Sequence, residues 1–210
     1  MVDTVVLAMF VDAGRPDLLQ ALAGGLVFLT PTVLDPAQLP PFAGPSLSEF
    51  GRGLYDAEQQ LGDPLLARRA QRRTVFYGSA GMIWQPVALS VGEVRLARYL
   101  ASPATRQAAR VIDPTFRALR IDPGEAECAA VAINRGWRLW SDDQAIVTLV
   151  RTLYPSCVVE RLCGLLVRGV SEGLIGCAAA AHLYNAVFKS ELRLWSRLTL
   201  DCQDGNATCR

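Results

Sequence analysis

The chain contains one histidine, His182, and none of its six cysteines forms a C-x-x-C pair. Zinc sites draw on such residues at such spacings, so a zinc centre is not expected. Long apolar runs are also missing. Arg, Asp or Gly interrupts every hydrophobic stretch well short of the ~18–20 residues of a spanning helix, and no membrane span is read. Net charge is nearly absent, at +1. A strongly basic nucleic-acid binder carries a larger excess, so any contact with nucleic acid has to come from a local patch. Lysine is reduced to Lys189. The positive charge is therefore almost all arginine, a planar and permanently charged group suited to phosphate. No secretory signal pattern opens the chain. The default expectation is a cytoplasmic protein whose thiols are free, with Asn206-Ala207-Thr208 a chance sequon.

Hydrophobic residues make up 51% of the chain and charged residues 20%. That balance supports a sizeable core and excludes a disordered polypeptide. Residues 2–11 read either as a buried strand or as an acid followed by a short helix. Pro16 opens a helix that stops at Gly24-Gly25, and Leu26 to Leu29 reads as a short strand. Pro36, Pro40, Pro41 and Pro45 prevent a long helix in their segment. Residues 46–61 are helical in pattern, and 65–73 form a basic amphipathic stretch. Ser90 and Glu93 form a capping-box pair ahead of a helix to Leu100. In the last third, helices at 122–136, 143–153, 162–172 and 176–200 alternate with strands at 138–141 and 157–159. Residues 201–210 read as a flexible polar tail. Helices and strands alternating through short connections predict an α/β fold with parallel strands. Ligands of such sheets sit at the carboxyl ends of the strands, where the acids deserve scrutiny.

Four acids stand out, each with an ordinary structural explanation. Asp143 follows a strand and begins a helix, as an N-cap does. Glu125 lies in a first helical turn, favourable to the helix dipole. Asp3 lies in an apolar stretch, where a lone buried carboxylate calls for a partner or a metal, unless a terminus leaves it exposed. Asp35 follows Val33-Leu34 and precedes Pro36, as a turn residue does. Brought together, the four would repel one another, and a hard divalent cation with oxygen-only ligands relieves such repulsion.

Five segments together resemble the PIN-domain family. They are Asp3-Thr4 with Ala13-Gly14-Arg15-Pro16-Asp17-Leu18-Leu19; Thr30-Pro31-Thr32-Val33-Leu34-Asp35; Gly124-Glu125-Ala126-Glu127-Cys128-Ala129-Ala130-Val131-Ala132; Arg138-Leu139-Trp140-Ser141-Asp142-Asp143; and the stretch from Leu162 to Ile175. The branch that includes the VapC-type toxins is the most similar. The likeness covers roughly 1–35 and 120–176. It implies a three-layer α/β/α sandwich around a central parallel sheet, as one domain over 1–200 with a helical elaboration at about 36–119. It further implies Mg²⁺- or Mn²⁺-dependent cleavage of RNA by Asp3, Asp35, Glu125 and Asp143. The metal would lie on Asp3, Glu125 and Asp143, with Asp142 as the substitute for the last. Arg68, Arg69, Arg72 and Arg73 are candidate phosphate contacts, or else a solvated helix face.

The sequence departs from the family at Val5, where Asn or Ser is usual, and at Asp35, where Glu is usual. Only two residues precede Asp3, so the first strand is stunted or the start lies upstream. These departures motivate an alternative, a catalytically degenerate module that binds RNA or a protein. An antitoxin-controlled toxin is a third reading, and a homodimer is a further expectation from the family.

Overall fold

Local signals in the sequence set most helix boundaries. The computed structural model describes residues 1–34, 50–51, 64–117 and 120–210. Helix α1 (Thr4–Asp12) starts at Asp3, whose carboxylate accepts from the Val6 N–H at 2.8 Å. Residues 2–11 are thus an acid followed by a helix. Helix α2 (Pro16–Ala23) has proline in its first turn and ends on Gly24 at φ 67°, a left-handed conformation that favours glycine. Helix α3 (Pro64–Tyr77) holds the basic stretch. Helix α4 (Val91–Leu100) is opened by the Ser90/Glu93 capping box. Then come α5 (Pro103–Ile112), α6 (Pro123–Arg135), α7 (Gln144–Leu153) and α8 (Leu162–Ser171). Helix α9 (Cys177–His182) runs into a π-helical stretch, Leu183–Glu191. The helix expected over 46–61 lies outside the described residues except at 50–51.

The expected sandwich around one central parallel sheet is not formed. Of the described residues 56% are helical, and the strands among them are two to four residues long. They form three separate pairs: β1 (Val27–Leu29) with β2 (Trp84–Pro86), β3 (Leu139–Trp140) with β4 (Val159–Glu160), and β5 (Leu200–Gln203) with β6 (Asn206–Cys209). The first two pairs are parallel, and Val2 adds a parallel bridge to Trp140. Caps explain the short ladders. Asp3 and Asp143 turn the chain into helix within one to three residues of the paired positions, so few residues are left to extend a strand.

The core is aliphatic around α6, α7 and α8, with an aromatic cluster of Phe50, Phe76, Tyr77 and Trp84. Helix α3 is tied to α1 by a largely buried bidentate pair. Arg73 donates Nε and Nη2 to the two oxygens of Asp12 at 2.7 and 2.6 Å, and its guanidinium lies 4.7 Å from the Phe50 ring centroid. Removing one partner leaves the other charge buried and uncompensated. Arg73→Met is therefore expected to lower the unfolding free energy by about 3 kcal/mol, with partial recovery in an Arg73→Met/Asp12→Leu double variant. Urea denaturation measures this, and an unchanged midpoint in the single variant would show that the pair contributes nothing net.

The C-terminal end differs from its sequence reading in three respects. Residues 201–210 are paired, not frayed: β5 and β6 form a hairpin about Asp204-Gly205, both at positive φ, the two-residue turn that Asp-Gly favours. Four thiols are not free, since Cys163–Cys209 and Cys177–Cys202 are disulfides that tie the hairpin to α8 and α9. Cys128 and Cys157 are free. Finally, the long helix ends at Glu191 rather than Leu200. In Leu192-Arg193-Leu194-Trp195-Ser196-Arg197-Leu198, side chains alternate between half-buried or buried and exposed, the period of extended chain rather than helix. Among the described residues, no helix is long and apolar enough to cross a membrane.

Candidate functional site

Three of the four candidate acids begin helices whose N-termini converge. The backbone of residues 1–3 runs beside β3: Trp140 N–H donates to the Met1 carbonyl at 2.8 Å, and Asp3 N–H to the Trp140 carbonyl at 3.0 Å. This places Asp3 next to the segment that ends in Asp142-Asp143. Asp143 caps α7, accepting from the N–H groups of Ala145 (2.6 Å) and Ile146 (3.2 Å). Glu125, in the first turn of α6, accepts from the Asp122 N–H at 3.2 Å. Positive helix ends favour carboxylates at all three places.

Capping accounts for only part of this arrangement. Asp3 is completely buried, and its Oδ2 has no hydrogen-bond partner. Burial, with a further contribution from the charges of Asp142 and Asp143, outweighs the hydrogen bonds from the Ser141 side chain and the Val6 N–H and pushes its carboxyl up to about 7. Burial, then the charges of Asp143 and Asp3, pushes Glu125 up to about 8. The three carboxylates feel one another, and Asp3 and Glu125 retain protons near neutrality. Such a site takes up positive charge readily, whether as protons or as a cation.

The remaining candidates are arranged differently. Asp142 is buried and committed: its oxygens meet the Arg161 guanidinium at 3.2 Å, and Oδ1 also accepts from Leu162 N–H at the start of α8. Asp35 lies outside the described residues, but the turn leading to it is anchored beside the site. Thr32 donates its hydroxyl and backbone N–H to Glu127, the residue just before Cys128, whose thiol contacts Thr30 Oγ1 and the Val2 carbonyl. Segments from four parts of the sequence thus meet. Of the arginines, Arg73 and Arg72 bind Asp12, Arg72 through its backbone carbonyl. Arg69 donates to the Glu191 carbonyl. Arg68 is exposed, with no ion pair among the described residues.

A cleft of about 600 Å³ opens beside Asp143, lined by Asp113, Thr115, Phe116, Arg117, Gln144 and Thr148. The 113–117 wall has no motif of its own by which it could have been found from the sequence. Another cavity, of about 400 Å³, is lined by Val27, Phe28, Trp137 and Arg168, but no candidate acid borders it. Among the described residues, no three His, Cys, Asp or Glu side chains are arranged to hold a metal ion. The chemistry of the donors suits a hard cation, and the unpartnered Asp3 oxygen is a free ligand atom. Comparison with known proteins adds no relative: no family model, no curated protein and no solved structure matches the chain.

Proposed function

We propose that the chain is a metal-dependent ribonuclease whose centre is formed by Asp3, Glu125 and Asp143. The observation that carries this reading is the unpartnered, fully buried Asp3 Oδ2 in the shared field of Glu125 and Asp143. A carboxylate left in that state destabilises the fold unless a proton or a cation occupies it. As they stand, Asp3, Glu125 and Asp143 are not arranged to ligate one ion; drawn together, they would hold Mg²⁺ or Mn²⁺, which would supply an activated water and stabilise charge on a phosphoryl group. The α7 N-terminus fixes the Asp143 carboxylate through two backbone donors, leaving its free edge toward the cleft. Arg117 lines the same cleft and would have to give up its Nη1 contacts to the Pro114 and Phe116 carbonyls to meet a phosphate there. Asp142 serves the site indirectly, by fixing Arg161 and the start of α8.

The test is Mn²⁺ calorimetry on the wild type and on a Glu125→Gln/Asp143→Asn variant, followed by cleavage assays on several RNAs. The expected result is one Mn²⁺ site lost in the variant, with cleavage reduced at least ~100-fold. A folded wild type that binds no Mn²⁺ and leaves RNA intact would end this reading. The second reading, a degenerate module that binds RNA or a protein without cutting, is favoured by the open spacing of the acids among the described residues and by Val5. It expects ligand binding that is indifferent to the double substitution.

A further inference from the structure

Trp195 is the most exposed large apolar side chain among the described residues, at 78%. It does not hang from a loose loop. The buried Leu194 anchors the loop and donates its N–H to the Phe188 carbonyl at 2.8 Å. The Tyr184 hydroxyl meets Ser196 Oγ at 2.8 Å, and Lys189 Nζ donates to the Leu198 carbonyl at 2.6 Å. Asn185 bonds Leu200 through both its amide nitrogen and its amide oxygen. The π-helical stretch thus supplies three polar side chains that hold the loop, and the loop holds an indole out to solvent.

The neighbours of that indole are cationic. Arg193 and Arg197 lie two residues to either side of Trp195 and are exposed, with no ion pair among the described residues. Arg193 is held at φ 59°, a conformation that an arginine adopts only when its surroundings impose it. Beneath the indole lies a cavity of about 280 Å³ lined by Gln144, Arg161, Trp195 and Arg197. Gln144 also lines the cleft beside Asp143, so the two surfaces join at one residue.

An aromatic face flanked by arginines fits a base between two phosphates. Tryptophan and arginine also meet in protein interfaces, but there the neighbours of a central tryptophan are depleted in charge, whereas here its exposed neighbours in the loop are charged. A duplex keeps its base faces stacked within itself, which leaves an unpaired strand as the occupant. We propose that residues 192–198 form a platform for single-stranded nucleic acid, with Trp195 stacking on a base and Arg193 and Arg197 meeting the adjacent phosphates. The strand would continue over Gln144 into the cleft at Asp143. This continuation rests on the ribonuclease reading; the platform itself does not. It also relocates the nucleic-acid contact from α3, where Arg72 and Arg73 are engaged with Asp12, to a loop that begins just after Glu191, whose carbonyl accepts from Arg69 of α3.

The experiment is fluorescence anisotropy with a labelled 12-residue oligouridylate in EDTA, where binding proceeds without cleavage, over a range of salt. Trp195→Ala is expected to weaken binding by 10- to 100-fold, and Trp195→Phe to retain most of it. Arg193→Gln/Arg197→Gln is expected to reduce the slope of log affinity against log salt by about 1.4. The matching deoxyoligonucleotide tells RNA from DNA preference, and a 12-base-pair duplex is expected to bind more weakly than either single strand. All substituted side chains are exposed, and circular dichroism confirms that each variant is folded. Absence of oligonucleotide binding by the wild type overturns the proposal, as does equal affinity of wild type and Trp195→Ala. Binding that depends on Trp195 in a protein that never cleaves RNA leaves the platform standing and removes the ribonuclease. Cleavage that is indifferent to Trp195 does the reverse.

Discussion

Kept free of divalent cations, the protein is expected to lose stability as the pH rises from about 4 to about 8. The sign follows from the folded state holding protons more tightly than the unfolded chain. Asp3 titrates near 7 and Glu125 near 8 when folded, against about 4 for exposed carboxyls. Their contribution is complete below the unfolded values and disappears as the pH passes through the folded ones. For the fully buried Asp3 the difference is on the order of 4 kcal/mol at the alkaline end. Asp3→Asn mimics the neutral form. It is expected to flatten the profile and to be more stable than wild type at pH 8, while matching it near pH 4. Under the ribonuclease reading, millimolar Mn²⁺ restores stability to the wild type at pH 8 and does little for Asp3→Asn. Urea titrations at several pH values measure both. A wild-type profile that rises or stays level between pH 5 and 8 would show that Asp3 is solvated or neutralised in some other way.

Reduction is expected to produce the second large effect. The disulfides Cys163–Cys209 and Cys177–Cys202 close nested loops with sequence separations of 46 and 25 residues. Because one loop lies within the other, the two effects overlap. Together they are expected to stabilise the fold by about 3–5 kcal/mol, which for a chain of this size corresponds to a melting temperature roughly 10 °C higher. Thermal melts with and without a phosphine reductant measure the total, and Cys177→Ser/Cys202→Ser isolates the inner bridge. An unchanged melting temperature, with hairpin amides still protected from hydrogen exchange, would mean that the hairpin ladder suffices without the bridges.

Much of the helical framework was legible because its signals are local. The Ser90/Glu93 box, the proline at the start of α2, Gly24 and Gly136 each act within one turn of chain, and each helix forms where its cap predicts. The sheet was not legible in the same way. Leu139-Trp140 and Val27–Leu29 are strand-like, but whether such pieces join one ladder depends on pairing between distant segments, and here they remain in separate pairs. At the C-terminal end two readable signals were outweighed. Asp204-Gly205 is a hairpin turn, and 192–198 alternates with period two, yet the leucines at 183, 194 and 198 also suit a helical stripe. The disulfides carry no spacing signature and exist only once the hairpin has folded. For Asp3, Glu125 and Asp143, the structural explanations expected from the sequence are met. Each belongs to a helix start, and those helix starts converge. Asp142, which the sequence offered as a substitute for Asp143, is distinguished only by the position of Arg161.

The pairing of the first residues with β3 has a consequence for when the site comes into being. The Met1 backbone nitrogen donates to the carbonyl of Arg138, 137 positions further along the chain, and Asp3 acquires its buried surroundings only when that strand is in place. On a ribosome adding about 5–20 residues per second, the stretch from Asp3 to Asp143 takes on the order of ten seconds to make. Throughout that interval Asp3 has no β3 to lie beside. The three acids come together only once β3 has been made, and a product that stops before β3 would lack their arrangement altogether.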